Sequence, residues 1–105
     1  MAQLLAPDGA ALAYDAYEPQ QLPPRAALLW VCGWSDHRTR WQRAAERWTR
    51  AGYAGYRLDQ RGQGDSGGLR GHLSRFSQLL GDLQAFRRLV RLRYDTPQVL
   101  LGHSF

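Results

Sequence analysis

The chain has 105 residues, 44% hydrophobic and 22% charged, with 11 Gly and 5 Pro. This balance suits one small globular domain or part of a larger one, and excludes a disordered or collagen-like chain. Its net charge of +5 comes from 14 basic residues, all arginine, while Lys, Ile and Asn are absent; the surplus reads as coding bias, and no nucleic-acid partner is expected because the arginines alternate with acids on amphipathic segments instead of forming an aromatic-interleaved basic platform.

The longest apolar run, Ala26 to Cys32, is seven residues, against the roughly 20 that a spanning helix needs. The opening Met1-Ala2-Gln3-Leu4-Leu5-Ala6-Pro7-Asp8 lacks the basic and long apolar regions of a signal peptide, so a cytoplasmic protein without a transmembrane segment is expected. A single Cys32 leaves no internal disulfide, and without Cys/His spacing for zinc neither a metal nor a cofactor is expected.

In chain order, Leu4-Leu5 and Ala10 to Tyr17 flank Pro7-Asp8-Gly9, which predicts two antiparallel strands around a tight turn. Pro19, Pro23 and Pro24 close that unit. Ala26 to Cys32 is apolar on both faces, as a central strand covered on each side requires, and Gly33 ends it. Arg38 to Ala51 places Trp41, Ala44, Ala45 and Trp48 at helical spacing before a stop at Gly52. Tyr53 to Asp59 predicts a parallel-type strand running into the glycine-rich stretch 60–68, a mobile or closely packed loop. From Ser74, a plausible N-cap, the residues Phe76, Leu79, Leu80, Leu83, Phe86, Leu89 and Val90 paint one helical core stripe. Thr96-Pro97 breaks that helix, Gln98 to Leu101 predicts a short buried strand that nothing covers, and Gly102-His103-Ser104-Phe105 follows. The alternation is that of an α/β fold.

Three glycine motifs compete for chemistry. Gly62-x-Gly64-x-x-Gly67 has the letters of a dinucleotide fingerprint, but Gly68 to His72 intervene before a helix can start, so no N-terminus stands ready for a pyrophosphate. Gly64-Asp65-Ser66-Gly67-Gly68 satisfies G-x-S-x-G, yet Ser66 stands well past its strand and well before the next helix, which favours a turn serine in a flexible loop. Gly102-His103-Ser104 has only the first three letters, but a strand leads straight into it, as a nucleophile elbow needs.

Three segments together carry a resemblance: Val31 to His37, Leu58 to His72, and Leu100 to Phe105. In order and spacing they resemble the marker segments of α/β-hydrolases, in the branch of monoacylglycerol lipase and lysophospholipase-like enzymes, also grouped as serine aminopeptidase-type hydrolases. The resemblance implies an α/β fold with a mostly parallel sheet and flanking helices, incomplete, with residues 1–105 forming its N-terminal portion up to the nucleophile elbow. It implies a serine hydrolase of carboxylic esters, with Ser104 as nucleophile and the backbone N–H groups of Trp34 and Phe105 as oxyanion hole. The substrate would be a small-molecule or lipid ester, and peripheral membrane contact is expected only of a complete protein. The family's usual His-Gly is replaced here by Cys32-Gly33, with Cys32 read as a small buried hydrophobe.

In this fold the triad order is Ser, then acid, then His. His37, His72, Asp59 and Asp65 all precede Ser104, and the side chain of His103 points elsewhere on the turn, so acid and base are expected beyond residue 105 and the isolated chain is expected to be inactive. Asp59 and Asp65 read as strand-end and loop hydrogen-bonding groups. A non-enzymatic binding module that keeps half the fold is the alternative; the reading frame beyond codon 105 discriminates the two. A nucleotide-binding oxidoreductase resting on the glycine loop would be excluded by failure to bind NAD or FAD.

Overall fold

The computed structural model describes residues 2–33, 42–68 and 76–102. Strands β1 (Ala2–Leu5) and β2 (Ala11–Tyr17) form the expected antiparallel hairpin, with Leu4 opposite Leu12. Its turn closes through Gly9 N–H on the Ala6 carbonyl at 2.8 Å, and the Asp8 carboxylate accepts the Ala10 N–H at 3.2 Å. Gly9 takes φ +89°, which a side chain would make costly.

Next come β3 (Ala27–Val31), helix α1 (Gln42–Arg50) and β4 (Ala54–Leu58). Helix α2 (Phe76–Arg93) and β5 (Gln98–Gly102) complete the described chain. The five strands form one mixed sheet in the order β1-β2-β4-β3-β5: β3 runs parallel to both β4 and β5, while β2 is antiparallel to β1 and β4. The expected helix start at 38–41, with Trp41, and the Ser74 cap lie outside the described residues.

The helices cover opposite faces. Consecutive residues of a strand point to opposite sides, and the Trp48 ring of α1 lies over Gly55 and beside Trp30, 5.1 Å between ring centroids. On the other side Phe86 of α2 packs on Tyr56 and Tyr14, at 6.4 and 6.1 Å. That second face is the main core, where Leu4, Leu12, Leu29, Leu58, Phe86 and Val90 gather. Burial around Tyr56 disfavours the charged phenolate and pushes its pKa up to about 12.

Three sequence expectations need correction. In α2, Phe76 and Leu80 are 62% and 48% exposed, whereas Asp82 is buried with Leu79, Phe86 and Val90. The inward face is therefore centred on 79, 82, 86 and 90, and a carboxylate occupies one of its positions because a cation meets it there. The strand buried along its whole length is β4, including Arg57, and not β3, whose Leu28 and Trp30 are only half-buried. Arg57 is tolerated because it donates to Tyr17 Oη at 2.8 Å and pairs with Asp15 at 3.3 Å, directly opposite it in the ladder. Finally, β5 is not buried: Val99 and Leu100 are 43% and 52% exposed, since the strand has a neighbour on one side only among the described residues.

Candidate active site

Strands β3 and β5 lie side by side and parallel, with Val31 opposite Gly102. Their carboxyl ends thus leave the sheet together, and ligands of open α/β sheets bind outside such ends. Gly33 is the last described residue before Trp34, and Gly102 the last before His103 and Ser104. Trp34, Ser104 and Phe105 themselves lie outside the described residues, as do His37, His72 and His103.

The base of the β3 turn is tightly held. Cys32 is fully buried and forms no disulfide, in keeping with its reading as a small hydrophobe. Its N–H donates to the Leu58 carbonyl at 3.1 Å, and its carbonyl accepts Gln60 Nε2 at 2.6 Å. Gln60 is itself buried, and nothing in the sequence distinguished it from a solvated loop residue.

The glycine-rich stretch after β4 is a clamp packed against β2 and Asp59. Gly67 N–H donates to the Ala11 carbonyl at 2.6 Å, and a Cβ on Gly67 would come within 3.0 Å of that oxygen. Gly64, at φ +51°, would place a Cβ 2.5 Å from Asp59 Cγ. The Asp59 carboxylate accepts the Asp65 N–H at 3.0 Å, so Asp59 and Asp65 act as loop-fastening groups. Ser66 is fully buried; its Oγ donates to the Asp59 carbonyl and accepts the Ala13 N–H at 2.8 Å. It is a turn serine, as its context suggested, and of the two loop expectations the closely packed one holds for the described residues 60–68. With donor and acceptor both engaged by main chain, Ser66 is not placed to attack a substrate.

Arg61 ties this clamp to the rest of the fold. Its guanidinium donates to both oxygens of Asp82 on α2, at 3.0 and 2.8 Å, and to both oxygens of Asp8 in the β1–β2 turn. These bonds raise the Arg61 pKa further, with Asp82 the stronger influence. The Asp8 pKa falls to about 2, first through the Arg61 hydrogen bond and then through the Ala10 N–H. Two carboxylates far apart in sequence thereby converge on one buried cation, a chelate-like arrangement that fixes the loop leading from β4.

The family described as serine aminopeptidase, S33, matches residues 22–105. The chain belongs to this family. The monoacylglycerol lipase of Mycolicibacterium smegmatis is 34% identical over 97 residues, 91% of this chain and 34% of that protein. Phospholipase YtpA of Bacillus subtilis is 32% identical over 81 residues, 77% of this chain and 31% of that protein. Among solved structures, a monoglyceride lipase from Saccharomyces cerevisiae superposes with TM-score 0.79 at 23% identity, over 92% of this chain and 33% of that one. Est1E from Butyrivibrio proteoclasticus gives 0.81 at 20%, over 99% and 43%. The chain spans about a third of the length of the curated relatives named here, and within that part the sheet and helices are those of an α/β-hydrolase.

For this S33 family member, the described residues place no expected site side chain, but they place the two strands that lead to them. What the sequence did not disclose is the support beneath: Gln60 under Cys32, and Asp82 under Arg61. Asp82 left a faint signal, a carboxylate on the inward side of an otherwise apolar helical stripe; such a residue calls for a buried partner. No helix among the described residues is long and apolar enough to cross a membrane.

Proposed function

We propose that this chain is the nucleophile-bearing part of a serine hydrolase of the lipase and esterase kind, acting on carboxylic esters. The observation that carries the reading is the parallel pairing of β3 with β5 at Val31↔Gly102, which brings the approaches to Trp34 and Ser104 to one end of the sheet in a chain of the S33 family. In this reading Ser104 Oγ bonds to the ester carbonyl carbon, its proton passes to a histidine outside residues 1–105, and the alcohol leaves, protonated by that histidine. Water then releases the acid. Trp34 and Phe105 N–H groups hold the carbonyl oxygen while it is negatively charged. Lipid esters such as monoacylglycerols and lysophospholipids are the proposed substrate class, on the strength of relatives named as a monoacylglycerol lipase and a phospholipase.

The test is hydrolysis of a short-chain nitrophenyl ester and of a monoacylglycerol by the product of the full reading frame that carries this segment. Ser104→Ala is expected to lower kcat by at least about 10³-fold, since a triad acts as a unit. A Ser104→Ala variant as active as its parent overturns the assignment. The polypeptide of residues 1–105 alone is expected to give no turnover above background, and vigorous Ser104-dependent turnover by it would refute the need for a base elsewhere.

A further inference from the structure

We propose that Gln60 is a positioning residue for the Cys32–Gly33 peptide that leads to Trp34, acting through the Cys32 carbonyl; the proposal rests on the hydrolase reading above. The β3–β4 register ends at Val31↔Leu58, so the next parallel pair would be Cys32 and Asp59. Regular pairing there requires two bonds, Cys32 N–H to the Leu58 carbonyl and Gln60 N–H to the Cys32 carbonyl. The first is present at 3.1 Å. For the second, the side-chain amide of Gln60 stands in for its main chain, with Nε2 on the Cys32 carbonyl at 2.6 Å.

The substitution frees the β4 main chain to turn. Gln60 enters a turn closed by Gln63 N–H on its carbonyl at 2.9 Å, and Asp59 N–H goes to Ala13 of β2 at 3.0 Å. The Cys32 carbonyl stays held all the same. Because a peptide unit is planar, holding that oxygen also fixes the direction of the Gly33 N–H, in the last described peptide before Trp34. Gln60 Oε1, meanwhile, is buried without a hydrogen-bond partner among the described residues. An apolar side chain of similar volume would avoid that cost, which marks the Nε2 bond as what an amide contributes here.

The test uses the product of the full reading frame with Gln60→Met, similar in volume but no donor, and Gln60→Asn, an amide one methylene too short. Both are expected to lower kcat about 10- to 100-fold with KM within about twofold of the parent and Tm within about 3 °C. Affinity for a trifluoromethyl ketone, whose adduct carries an oxyanion, is expected to fall in parallel with kcat. A folded variant with parental kcat overturns the proposal. So does a loss of kcat matched by an equal loss of titratable serine, and so does failure of both variants to fold, which would assign Gln60 to the core alone. Ser104→Ala separates the two levels: an active parent, a dead Ser104→Ala and parental Gln60 variants refute only the role of Gln60, whereas a parent without Ser104-dependent turnover refutes the hydrolase reading with it.

Discussion

In the loop after β4, Ser66 is fully buried and its hydroxyl is spent on two main-chain groups, with Asp59, Gly64 and Gly67 in close contact around it. At the end of β5, a Cβ on Gly102 would meet nothing within 4 Å among the described residues, and Val99 and Leu100 behind it are exposed on the sheet edge. Both regions contain a glycine two residues before a serine. The first is fastened to main chain on two sides, so there the letters serve stability. A hydroxyl can act as a nucleophile only if its proton and lone pairs are not already committed.

The sharpest way to break this comparison is to exchange the roles of the two serines in the full-reading-frame product. Against the loss of at least about 10³-fold in kcat expected for Ser104→Ala, Ser66→Ala should leave kcat per folded molecule unchanged. It should instead cost about 1–3 kcal/mol in denaturant unfolding, because the buried Ala13 N–H and Asp59 carbonyl lose their partner. A Ser66→Ala enzyme that is stable but inactive would reverse the assignment.

Asp82→Ala should have the largest effect on stability, about 3 kcal/mol, since it leaves a mostly buried guanidinium with only the exposed Asp8 as partner. Unfolding midpoints measure it, and Asp82→Ala combined with Arg61→Met should recover much of the loss. Gly64→Ala follows at about 1–3 kcal/mol, combining the φ +51° position with the collision against Asp59; an unchanged midpoint would mean that the clamp yields easily.

The smallest effect is a pH dependence at the clamp's outer rim. The Asp8 pKa is lowered from 3.8 to about 2 in the folded chain, so between those pH values the unfolded chain binds more protons than the folded one. Its contribution is complete above pH 4 and is lost as pH falls toward 2. Asp8→Asn should abolish that part of the acid slope in unfolding midpoints, and an unaltered slope would dissociate Asp8 from Arg61.

The order of elements and the hairpin were legible because turn chemistry and apolar runs are local: Pro7-Asp8-Gly9 turns, Ala27 to Val31 pairs, and Gly52 stops α1. The resemblance that named Ser104, Trp34 and Phe105 was legible for the same reason, being written in three contiguous segments. The polar partnerships were not. Arg57 and Arg61 look like surface arginines until Asp15, Tyr17, Asp8 and Asp82 are brought to them from elements far away in the chain.

By itself, then, the sequence determined the α/β alternation and the family, since these depend on residue type and spacing along the chain. Tertiary structure alone decided that β4 and not β3 is the most deeply buried strand, that Ser66 is a structural tie, and that Gln60 stands beneath Cys32. Burial and hydrogen-bond pairing depend on what the fold sets opposite a residue, and residue order carries that information only weakly.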